Sequence, residues 1–141
     1  MTGRDRERGS ATIEAVIIVP ALIMFVALII AAGRVQLAHQ SVDAAAAEAA
    51  RVASIARTPG EAQTLATASG NQALTNQGLA CSGMTVTVDT SGFAVPVGTP
   101  ATVSATITCT VELGDVAIPG LPGAITIEQT AQSPLDTYRG R

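Results

Sequence analysis

Residues 8–34 read RGSATIEAVIIVPALIMFVALIIAAGR, and this stretch decides where the chain sits. From Ala15 to Gly33 it carries no charged residue. A helix rises 1.5 Å per residue, so this run is about 28 Å long, close to the thickness of a bilayer's hydrocarbon core. It predicts one transmembrane helix. Arg4, Arg6 and Arg8 precede it and only Arg34 follows directly, which sets the N-terminus in the cytoplasm and the rest outside. Three other readings stand beside this one. A buried core helix needs a remainder able to wrap it, and this remainder is poor in large side chains. A cleaved secretory signal could end at Ala31-Ala32-Gly33, although the apolar run is long for one. A plain, unprocessed signal anchor is the third.

Two residues at the start of the run are out of place in a plain anchor. Glu14 is an acid at the edge of an apolar span, where a charge is costly and marks a functional candidate. In the first turn it also complements the positive helix N-terminus, with Ser10 or Thr12 as caps, and that account needs no function. Pro20 removes a backbone donor and predicts a kink.

The remainder predicts a small α+β domain. Residues 34–57, RVQLAHQSVDAAAAEAARVASIAR, hold neither Gly nor Pro, so one helix is expected from about Ile13 to about Ala56, ended by Thr58-Pro59-Gly60. Val35, Ala38, Val42, Ala45, Ala46, Ala49, Val52, Ala53 and Ala56 recur at helical spacing and form a small-residue packing stripe. Glu61 to Gln77 predicts a second short helix, broken or frayed near Gly70. The period then falls to two. Met84, Val86 and Val88, then Ala101 through Leu113, then Ile125 and Ile127 alternate with Thr-rich positions. Three antiparallel strands follow, with turns near Ser91-Gly92, Pro96–Pro100 and Pro119–Gly123. The parts are a basic leader (1–9), the span (10–33), its outer extension (34–57), the extracytoplasmic domain (58–132) and a mobile tail (133–141).

Composition narrows the function. The net charge is -3 and all eight basic residues are arginines without a long run, which gives no nucleic-acid footprint. His39 is the only histidine, read as a solvated helix residue with Asp43 one turn on, so neither a catalytic triad nor a metal site is expected. No phosphate-binding loop or other cofactor or small-molecule motif is present, and an enzyme is not expected. Cys81 and Cys109 fit no zinc or redox spacing. Outside a membrane they are expected to form one disulfide, with Cys109 on the apolar face of its strand.

The basic stub ending in Gly9, the small residues after it, Glu14 and the apolar run with Pro20 together resemble the class III leader of type IV pilins and pseudopilins. In those families a prepilin peptidase cuts after the glycine. The resemblance implies a cut between Gly9 and Ser10, which places Glu14 fifth in the mature chain. Its carboxylate would pair with the new amino group of a neighbouring subunit. From Arg8 to about Arg57 the chain is similar to the TadE-like family, pseudopilin-related proteins of tight-adherence (Flp-type) pilus systems. Gly9, Glu14, Pro20, Gly33 and Arg34 fall in that family's places. The resemblance implies a pilin-like fold and a non-catalytic subunit in pilus assembly. Its partners would be membrane lipid, the prepilin peptidase and other pilin-like subunits. A signal-anchored or secreted surface binding domain, or a membrane regulator that senses a partner, are the alternatives from other classes.

Overall fold

The computed structural model describes residues 5–114, 120 and 123–138, with side chains from Glu14 onward. Helix α1 spans Asp5–Ser54, α2 spans Pro59–Asn76, and strands β1 (Gly83–Asp89), β2 (Thr102–Glu112) and β3 (Ala124–Pro134) follow. This is the expected α+β arrangement of a long helix, a short helix and a three-stranded antiparallel sheet in the order β1-β2-β3.

Helix α1 begins at Asp5, eight residues before the expected start at Ile13, and is 50 residues long. At 1.5 Å per residue that is about 75 Å. It ends at Ser54 with two tightened bonds, Ile55 N–H to the Val52 carbonyl and Ala56 N–H to that of Ala53. The chain then reverses. The Thr58 hydroxyl caps α2 by accepting from Glu61 N–H at 3.2 Å, Glu61 reaches back to Arg57 N–H at 2.9 Å, and Pro59 opens the first turn. The Thr58 bond satisfies one helix-start donor, Pro59 removes another, and the Glu61 bond ties the preceding residue to the first turn. At the other end, Gly78 takes φ +69° while Leu79 N–H bonds the Leu74 carbonyl and Gly78 N–H that of Thr75. That is a Schellman stop, and the positive φ is why glycine stands there.

Gly70 does not break α2. The helix runs through it, and Gly70 is buried against the sheet. A Cβ built there would lie 2.9 Å from Ile107 Cδ1 and 3.5 Å from Val86 Cγ2. The missing side chain lets α2 approach the sheet, and that packing outweighs the helix-propensity cost of about 1 kcal/mol.

Both helices cover one face of the sheet. Ala38, Val42, Ala45, Ala46, Ala49, Ala53 and Ala56 of the expected stripe are buried, and they meet Val103, Ala105, Ile107, Cys109 and Ile127 from the strands. Val35 and Val52 are half-buried. Phe93 is the one aromatic residue packed on this core, because Phe25 and Tyr138 are exposed. The disulfide joins Cys81, just before β1, to Cys109 on β2, with Cα atoms 5.4 Å apart. The opposite sheet face carries cross-strand threonine pairs, Thr106 with Thr130 at 2.8 Å and Thr110 with Thr126 at 3.2 Å.

Three further expectations change. The turn at Ser91-Gly92 is a short 3-10 helix, Ser91–Ala94, entered by Asp89 accepting from Ser91 N–H at 2.9 Å. That bond holds the Asp89 carboxyl below its usual range. Strand β3 extends to Pro134, and Leu135 beyond it is buried and bonds the Ala101 carbonyl. The expected tail from Ser133 is therefore part of the sheet over its first residues. His39 is half-buried, with Nδ1 3.3 Å from Gln129 Nε2 on β3, and so faces the sheet instead of solvent. The turn expected at Pro119–Gly123 lies largely outside the described residues.

Candidate functional site: the exposed half of the long helix

Helix α1 has two environments along one axis. Its outer half packs under the sheet, while its inner half packs against almost nothing. Val16, Ile17, Ile23 and Phe25 are each more than 60% exposed. A run of this size left uncovered is not a soluble protein's surface, on which contiguous apolar patches rarely exceed a few hundred Å². One helix is long and apolar enough to cross a membrane, and it fits a single-pass anchor.

Pro20 lies inside this half, and α1 continues through it as one helix. It supplies no N–H to the carbonyl four residues back, at Val16. Glu14 is exposed at the inner edge of the run, and no described side chain pairs with it. The Gly9–Ser10 bond lies within α1, not ahead of it. The side chain of Ser10, at the expected cut site, lies outside the described residues. Ser10 and Glu14 are four residues apart on the continuous helix, about 6 Å along its axis.

Cys81 and Cys109 lie in the domain, beyond the apolar run, and take no part in this edge. Among the described residues no three His, Cys, Asp or Glu side chains gather as metal ligands would.

The sheet carries a feature that sequence alone did not show. The Gln63 side chain on α2 donates to the Val86 carbonyl at 2.9 Å and accepts from Val88 N–H at 3.1 Å. It occupies the outer edge of β1 as a neighbouring strand would. Nothing in the local pattern of α2 separates this glutamine from Gln72 or Gln77, so the signal lies only in the fold.

Comparison with known proteins bears on the helix and not on the sheet. The family model described as TadE-like protein matches residues 9–51. No curated protein and no solved structure matches the chain. The matched segment begins at Gly9, takes in Glu14, Pro20 and the whole apolar run, and ends in the buried alanine stripe. Over residues 9–51 the chain therefore matches the TadE-like family that its N-terminal sequence resembles.

Proposed function

We propose that the chain is a non-catalytic, membrane-anchored pseudopilin-like subunit that takes part in assembling a tight-adherence type pilus or a related surface apparatus. The observation that carries this reading is the division of α1 between a bare apolar half and an outer half clothed by a small domain, within the segment that matches the family. Such a helix suits lateral bundling in a membrane, with the domain displayed outside.

In this reading the leader is removed between Gly9 and Ser10 by a prepilin peptidase. The amino group of Ser10 is then cationic near neutral pH. An isolated carboxylate in an apolar layer is costly, and pairing Glu14 with the Ser10 amine of a neighbouring subunit removes that cost and fixes one register between helices.

Replacing the acid tests the pairing. Glu14→Ala is expected to leave the protein in the membrane fraction but to reduce its cross-linking to partner subunits at least tenfold, about 1.4 kcal/mol or more of assembly free energy. Undiminished cross-linking of Glu14→Ala would remove the pairing role and favour a helix-start role for Glu14.

A further inference from the structure

At the membrane-proximal end of the domain, α1, the end of α2 and the adjoining ends of β2 and β3 enclose a groove of about 260 Å³. Its apolar walls come from Val35, Leu37, Leu79, Val111, Leu113 and Ile125. Arg34 and Glu112 also line it, and Gln77 Nε2 ties α2 to the Ser41 carbonyl beside it at 3.5 Å.

The position of the groove identifies its occupant. Arg34 is the first charge after the apolar run, and Ser41, the last groove residue on α1, is about 10 Å further along the axis. The polar layer outside the hydrocarbon is about 5–8 Å thick on each side of a bilayer. The groove thus opens in the headgroup layer when the apolar run spans the core. The exposed surface of Leu28, Ile29 and Ile30 continues past Arg34 into Leu37, which is 64% exposed. The groove is smaller than the roughly 300–1,000 Å³ of sites that enclose a whole small molecule, so it takes part of a chain.

We propose that this groove seats a phospholipid of the outer leaflet. The glycerol end and first carbons of one acyl chain lie against Val35, Leu79, Val111 and Ile125, and the Arg34 side chain, rising from the inner end of the groove, reaches outward to hold the phosphate. A planar guanidinium matches phosphate geometry, and long basic side chains reach from apolar surface to headgroups. Glu112 repels a phosphate at the β2 end and confines it to the α1 side. The bound lipid fixes the tilt of the domain on the membrane. This rests on the membrane-anchor reading.

The chain has no tryptophan, so a single introduced one reports its own surroundings. The full-length protein is placed in vesicles of phosphatidylcholine and phosphatidylglycerol, with one lipid brominated near the glycerol end of its acyl chains. Leu22→Trp marks the span, Leu79→Trp the groove and Ile55→Trp the far end of the domain. Leu79→Trp is expected to lose at least half its fluorescence and Ile55→Trp to lose none. Val111→Trp replaces Leu79→Trp if the latter does not fold. Brominated phosphatidylglycerol is expected to quench the groove reporter more than brominated phosphatidylcholine, and Arg34→Gln to abolish that preference. Quenching of Leu22→Trp without quenching of the groove reporter overturns the lipid site and leaves the anchor standing. Absence of quenching at Leu22→Trp overturns the anchor, and the lipid site with it. A lipid preference unchanged by Arg34→Gln overturns the phosphate contact.

Discussion

Gly92 and Gly70 are both buried, and both are glycines because of close approach. At Gly92 an added Cβ would run into the Thr102 backbone oxygen and Leu135 Cδ1. The backbone oxygen cannot swing aside. Gly92→Ala is therefore expected to destabilise the domain by about 1–3 kcal/mol, read as a shift of the urea midpoint with unchanged slope. At Gly70 the nearest atom is the end of the Ile107 side chain, but Ile107 is itself fully buried and has little room to move. From the sequence, Gly70 reads as a helix breaker because propensity is a local quantity. What keeps it in the helix is a contact with residues 14 to 37 positions away, which no local pattern carries. Glu14 is the opposite case. An acid at the edge of an apolar run is visible in sequence, since its oddity is compositional.

At the scale of the element, the alanine stripe of α1 and the alternation of β2 are legible because each follows one period from end to end. Strand β3 is not. Its inward positions include Gln129 and Ser133, which break the apolar alternation after Ile127. These polar groups face partners on α1: Gln129 meets His39, and the Ser133 hydroxyl donates to that of Ser54 at 3.1 Å. A strand that buries polar groups against a helix looks like loop until the helix is in place. Gln63 poses the same problem across elements. Gln63→Ala leaves the Val86 carbonyl and Val88 N–H without their side-chain partner. It is expected to cost about 1–3 kcal/mol and to speed amide exchange at Val88, while exposing a strand edge that favours aggregation. Wild-type exchange at Val88 in this variant would show that Gln63 does not seal the edge.

At the scale of the molecule, one helix joins an exposed apolar half to a domain with an unusually light core. The largest fully buried side chains are Ile107, Ile127, Val42, Val103 and Cys109. Small domains with little buried area depend on covalent staples. The disulfide joins residues 28 apart, and losing it is expected to cost about 3–4 kcal/mol. The Cys81→Ser, Cys109→Ser double variant should melt at a clearly lower temperature, and the wild-type protein should move to match it under reducing conditions. Coincident melts of the oxidised wild type and the double variant would contradict a stabilising role. The pairing is expected if the domain beyond the span faces outward, where disulfides persist, and its geometry follows from register: Cys109 sits opposite Met84, three residues past Cys81.

Everything proposed for assembly depends on where the mature chain begins. Protein purified from its native membranes should be sequenced from its N-terminus. Ser10 is expected as the first residue, with the apolar run intact behind it. A mature chain beginning near Arg34 would contradict it, because signal peptidase would then have removed the very helix that anchors and registers the subunit. A chain still beginning at Met1 would contradict it as well, leaving a plain anchor with Glu14 as a helix-start residue.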